Sequence, residues 1–179
     1  MIEVEGKVKI SDPAFFREKI KKLAKFKKKE IKIDDYYTLE NLNHYPKKSL
    51  RIRKKGSIYE INFKQSLSFK NGIHAKDEHE FTLKSINPFL NLIKEFGFKH
   101  WLKKEKITEL FEISKNFHIE LNHVKELGWF LEIEYLSSKD QINSARMQVS
   151  NIIKKLGIKQ NDLVKEGYTK ILWNKKLYK

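Results

Sequence analysis

Acidic and basic residues recur along this chain in pairs spaced two apart: Glu3 and Glu5 with Lys7 following, Arg51 and Arg53, Glu78 and Glu80, Lys104 and Lys106, Glu132 and Glu134, with the amide Asn62 and Lys64 at the same spacing. On an extended strand that spacing puts both members of a pair on one face, with Cα atoms about 6.5 Å apart. Two carboxylates so placed can converge on one hard cation or on two neighbouring ones. Carboxylate oxygens suit Mg²⁺ or Mn²⁺, and a chain without cysteine and with scattered histidines is a poor zinc binder. The arginine pair offers guanidinium forks to phosphate oxygens, while Lys7, Lys64, Lys104 and Lys106 add compact positive charges. Together these residues can hold a triphosphate between a metal on one side and bases on the other. A solvated strand face also carries mixed charge, but it gives no reason for acids and bases to segregate into acid-only and base-only pairs.

Alternation with apolar residues identifies the elements that must carry these pairs. Ile2, Val4 and Val8 interleave with the first acids, Leu50 and Ile52 with the arginines, Ile61 and Phe63 with Asn62 and Lys64, and Leu131 and Ile133 with the last acids. The pattern predicts strands over 2–10, 31–38, 50–54, 58–64, 78–83, 102–113, 117–122 and 129–135, separated by turns such as Lys55-Gly56-Ser57 and Lys70-Asn71-Gly72. Asp12-Pro13 caps a helix with Phe16, Ile20 and Leu23 on one face; Asn87-Pro88 opens a second that stops at Gly97. A third carries Ile142, Ala145, Val149, Ile152 and Leu156 and stops at Gly157, and a short fourth is expected over 163–173. If the helices cover the apolar strand faces, the charged faces turn to the middle, as in a closed barrel with a polar interior.

A length of 179 residues with 40% hydrophobic and 12% aromatic content fits one domain spanning 1–179 with a real core. The 38 Lys+Arg against 23 Asp+Glu give a formal net charge of +15, which attracts polyanions: nucleic acid, an anionic membrane surface or a phosphate-rich small molecule. Without cysteine there are no disulfides, thiolate metal sites or cysteine nucleophiles. No apolar run approaches the ~18 residues of a spanning helix and no signal-peptide apolar region opens the chain, so a soluble, cytoplasmic protein without a membrane partner is expected. Neither a phosphate-binding glycine loop, a dinucleotide fingerprint, a zinc-protease motif nor a nucleophile elbow is present. By strand parity His79 lies on the face opposite Glu78 and Glu80, away from the acids.

Glu3-x-Glu5-x-Lys7 at the start of the chain resembles the E-x-E-x-K signature of the CYTH superfamily, the triphosphate tunnel metalloenzymes, most closely the CyaB-type class IV adenylyl cyclases. Asp35-Tyr36-Tyr37, Leu50-Arg51-Ile52-Arg53, Phe63-Lys64, Glu78-x-Glu80, Lys104-x-Lys106, His118 to Asn122 and Leu127 to Glu134 are similar to further family motifs, in family order, over nearly the whole chain. The resemblance implies an α+β fold, an eight-stranded antiparallel β-tunnel with a charged lumen and helices packed outside. It implies metal on Glu3, Glu5, Glu78, Glu80, Glu132 and Glu134, and phosphate on Lys7, Arg51, Arg53, Lys64, Lys104 and Lys106. Tyr36 and Lys64 match the positions proposed to activate water in hydrolytic members.

Two departures stand out: Lys106 where the family commonly has Arg, and Asn122 where it often has Asp. The family's C-terminal Ser-Tyr is here Gly167-Tyr168, which reads as packing. The implied activity is conversion of ATP to cyclic AMP and pyrophosphate, with hydrolysis of tripolyphosphate or thiamine triphosphate as the alternative. A homodimer is implied by the same kinship. A non-catalytic binder of RNA or polyphosphate, motivated by the charge alone, ranks behind both.

Overall fold

The first strand has apolar residues on one face and charged ones on the other, yet both faces are buried: Val4 is 0% exposed and Glu5 only 6%. A strand can satisfy that only by sitting between an apolar layer and an enclosed polar space. The computed structural model, which describes residues 1–177, provides both. In chain order the elements are β1 Ile2–Ile10, α1 Pro13–Lys21, β2 Lys25–Thr38, β3 Leu50–Lys55, β4 Ile58–Lys70, β5 Ile73–Leu83, α2 Asn87–Glu95, β6 Lys99–Ser114, β7 Phe117–Val124, β8 Gly128–Ser137, α3 Ile142–Lys155 and α4 Tyr168–Leu177.

The eight strands hydrogen-bond in the order β1-β5-β4-β3-β2-β6-β7-β8, and β8 pairs back to β1, so the sheet closes into a barrel with every described pair antiparallel. Closure leaves no exposed edge and creates an interior. Outside, α1 and α3 cover β1, β5, β7 and β8 through Ile20, Val149, Ile152, Ile153 and Leu156, while α2 sets Ile93 against Ile52 of β3 and Ile61 of β4. Fully burying each such side chain is worth about 1.5–3 kcal/mol. Asp12 caps α1 by accepting from the Phe15 N–H at 2.9 Å, as its sequence predicts.

One apolar cluster lies on the interior side. Leu102, Val124 and Phe130 share strand parity with Lys104, Asn122 and Glu132, and Tyr168 and Leu172 of α4 pack on them, so α4 closes one end of the barrel.

The strands run longer than the alternation predicts. β2 begins at Lys25, so the lysine run Lys27 to Lys29 lies on a strand, with a bulge between Phe26 and Lys28 that blurs its period. β4 and β5 extend toward each other to Lys70 and Ile73, leaving Asn71-Gly72 as the turn. The fourth helix starts at Tyr168, and Leu163 instead forms an isolated bridge with Val8. Among the described residues no helix is long and apolar enough to cross a membrane.

Candidate functional site

Strand parity and closure together turn the charged pairs inward, except that Glu80 stays at the open rim with its side chain 43% exposed. Glu3, Glu5, Lys7, Lys104, Lys106 and Glu132 are each at most 7% exposed. β8 sets Glu134 directly opposite Glu5 and Glu132 opposite Lys7, bringing the first and last acids of the sheet side by side.

The interior divides into three linked groups. At one end Asp34, wholly buried, accepts from Arg53 Nε at 2.5 Å and Nη2 at 2.9 Å, and lies 2.9 Å from Lys104 Nζ. Lys104 also donates to the Tyr36 hydroxyl at 2.9 Å. Arg51 donates to Glu60 at 2.6 Å. In the middle, Lys106 Nζ donates to Glu120 at 2.8 Å and to Glu132 at 3.2 Å, with Asn122 Nδ2 bridging the same two acids at 3.1 and 2.7 Å. Thr108 fixes the Asn122 amide by donating to its Oδ1 at 2.6 Å, and Lys7 lies 3.2 Å from Glu132. At the acid end, Lys64 donates to Glu3 at 2.6 Å and pairs with Glu78, while Lys76 pairs with Glu5.

The protonation pattern follows from burial set against these partners. Burial raises Glu3 to about 7, with Glu5 and Glu78 adding repulsion that Lys64 and Lys76 only partly offset. Burial, reinforced by Glu3, Glu120 and Glu5, pushes Glu134 well above the carboxylate range. For Glu5, burial also acts upward, but Lys76, Lys7 and Lys64 outweigh it and hold the group well below its ordinary value. Asp34 is likewise held down by Lys104 and Arg53 against its burial. The acid end therefore carries more carboxylate than its two lysines can neutralise.

The predicted residues thus share one interior, with qualifications. The six acids assigned to metal do not converge into a ready-made cation cluster among the described residues, because lysines draw four of them, Glu3, Glu5, Glu78 and Glu132, aside. Glu80 stands apart: its side chain is 43% exposed and it accepts from Asn62 at 3.2 Å. Tyr36 is held by Lys104 and Asp34, not by Lys64. Arg51 and Arg53 are engaged by Glu60 and Asp34. His79 is exposed, as parity predicts.

Among the interior residues that escape the sequence reading are Asp34, Glu60, Lys76 and Glu120. Each lies two positions before a residue that was singled out, so extending the alternation one step along each strand finds them. Lys76 was missed because β5 was read as starting at Glu78 rather than Ile73.

The donor set fits a hard divalent cation. Glu3 Oε1 is buried with no hydrogen-bond partner, and the Glu3 carboxylate sits among two further acids, Glu5 and Glu78, as well as Lys64 and Lys76.

A model of the CYTH domain matches residues 1–168. A Methanocaldococcus jannaschii protein provisionally named adenylate cyclase is 28% identical over 177 residues, covering 96% of this chain and 98% of its own length. The structure of PH1012 protein from Pyrococcus horikoshii superposes with a TM-score of 0.79 at 27% identity, over 94% of this chain and 98% of that one. A Hippeastrum protein, given as a provisional adenylyl cyclase with a dominant triphosphatase activity, shares the fold with a TM-score of 0.63 at 14% identity, over 97% and 95% of the two chains.

Proposed function

This chain belongs to the CYTH family, and we propose that it is a divalent-metal-dependent enzyme that processes a triphosphate inside its barrel, with ATP cyclisation to cyclic AMP and pyrophosphate as its reaction. The observation that carries the reading is the burial of acids and bases from all eight strands in one enclosed interior, an arrangement that is costly unless it serves a charged ligand. Glu3, Glu5, Glu132 and Glu134, with Glu78, would hold Mg²⁺ or Mn²⁺. The metal, when bound, supplies charge neutralisation to the phosphate oxygens.

The chain's own groups do the rest. Lys7, Lys104 and Lys106 line the interior and would bind phosphate oxygens, fixing the chain in line for attack. Arg51 and Arg53 join them when the ligand outcompetes Glu60 and Asp34. In cyclisation the substrate's ribose 3′-oxygen bonds to the α-phosphorus as the bond to pyrophosphate breaks.

Hydrolysis is the second reading, favoured by the contacts of one residue. Lys104, donating at 2.9 Å, and Asp34, accepting at 3.4 Å, fix the Tyr36 hydroxyl inside the barrel, where it could orient an attacking water.

The test incubates purified protein with ATP, thiamine triphosphate and tripolyphosphate, each with Mg²⁺ or Mn²⁺, and resolves cyclic AMP, pyrophosphate and orthophosphate. Cyclic AMP with pyrophosphate is the expected outcome, abolished by EDTA and lowered at least about 100-fold by Glu5→Gln in a protein that keeps its circular dichroism. Orthophosphate alone would replace cyclase with hydrolase. Polyanion binding that survives EDTA, without turnover, would overturn both.

A further inference from the structure

The contacts of Lys76 point past phosphate binding, to control of the metal. Its ammonium donates to Glu5 and lies 4.0 Å from Glu3 Oε1, the buried oxygen that has no hydrogen-bond partner. Its Cα faces Glu3 across the β1–β5 ladder, so the side chain reaches diagonally between the two acids that open the chain. Glu3 and Glu5 are 4% and 6% exposed, whereas the Lys76 side chain keeps 21% of its surface accessible.

We propose that Lys76 is a displaceable internal counter-cation: it occupies the acid end in the metal-free protein, competes with the divalent ion for Glu5, and swings out when that ion arrives. The inference rests on the metal-dependent reading above. Its physical basis is exclusion. An ammonium donates to carboxylate oxygens near 2.8 Å, whereas Mg²⁺ or Mn²⁺ needs the same oxygens at about 2.1 Å, so the Glu5 carboxylate cannot serve both fully.

Lys64 is the more firmly held of the two lysines at this end: its side chain is the more accessible, 29% against 21%, but it is tied to Glu3 and to Glu78 at once. Lys76 has one close partner and a flexible four-carbon stem, so it is the one that leaves. Released, its charge remains tethered beside the interior and adds to the field that attracts phosphate. Metal and anion are thereby coupled in binding, and the coupling acts equally in both directions. Weak binding of metal alone and capture of metal together with the phosphate chain follow from one residue.

The experiment titrates Mn²⁺ into full-length protein without phosphate, following free Mn²⁺ by electron paramagnetic resonance, for the native chain, Lys76→Met and Lys76→Gln. Both variants should bind Mn²⁺ about tenfold more tightly than the native chain, because the competing charge is gone. Unchanged or weaker affinity in a variant with native circular dichroism would overturn the inference while leaving the metal reading intact. No Mn²⁺ binding by any of the three proteins would overturn both. A second measurement needs no variant: mass spectrometry after brief acetylation should show Mg²⁺ raising labelling at Lys76 and not at Lys64. Labelling of Lys76 that ignores Mg²⁺ would equally overturn the inference.

Discussion

Glu3 shows how a side chain suited to a ligand can work against its own fold. Its carboxyl is raised from 4.5 to about 7 by burial, with repulsion from Glu5 and Glu78 beyond what Lys64 and Lys76 relieve. Below pH 4.5 the group is neutral in both folded and unfolded chains and costs nothing. Between 4.5 and 7 the unfolded chain releases the proton while the folded one keeps it, so stability falls as pH rises, and the full penalty stands above 7. Glu3→Gln removes the charge and keeps the shape. In EDTA at pH 8 that variant should be more stable than the native chain, by on the order of 2–3 kcal/mol, with the gain vanishing near pH 4. Urea melts at the two pH values check this; equal stability at pH 8 would show that Lys64 and Lys76 already compensate the charge. The same substitution should abolish turnover, which separates the cost to folding from the benefit to chemistry.

Between elements, two glycines decide how closely the outer layer approaches the barrel. A Cβ on Gly6 would lie 2.9 Å from Ile153 Cδ1 and 3.3 Å from Val149 Cγ1, so the bare position lets these α3 side chains pack directly on β1. Gly72 turns the β4–β5 hairpin at φ +75°, and a Cβ there would meet Leu163 atoms at 2.7 and 2.8 Å. Leu163 is the residue that bridges to Val8 on β1, just after α3 and before α4. Gly72→Ala therefore combines a disfavoured backbone with a clash, and should destabilise the fold by about 1–3 kcal/mol, read as a lowered midpoint in thermal or urea melts. Gly56, at φ +62° with nothing within 4 Å of its Cβ position, supplies the control: Gly56→Ala should cost less than Gly72→Ala. Hydrogen-exchange protection of the β4–β5 turn should fall in the Gly72 variant, and unchanged protection would mean that Leu163 moves aside freely.

Taken whole, the molecule separates its charges by depth. Interior acids and bases largely pair with one another, so the formal +15 is expressed mainly by lysines on the surface, such as Lys27, Lys28 and Lys29 on β2. Such a field draws an anionic substrate toward the barrel and is screened within about 10 Å at 0.1 M salt. Raising salt from about 0.05 to 0.5 M should lower kcat/KM for a triphosphate several-fold and leave kcat within about twofold, since the buried contacts are shielded from the added ions. A kcat that falls in step would place the salt-sensitive charges in the interior instead.

Residue type and spacing alone were enough to identify the charged faces, because alternation in a strand is a local property and each pair announces its face. They also located α1, α2 and α3, whose caps and apolar stripes lie within single segments. The partnerships inside the barrel belong to the closed sheet. Nothing local tells Asp34 that it will meet Arg53 and Lys104, or Lys76 that it will reach Glu5, because those contacts join strands far apart in the chain and depend on register. Chain order revealed which residues could do chemistry; only closure of the barrel determined which of them neutralise one another and which buried oxygens, such as Glu3 Oε1, keep no hydrogen-bond partner.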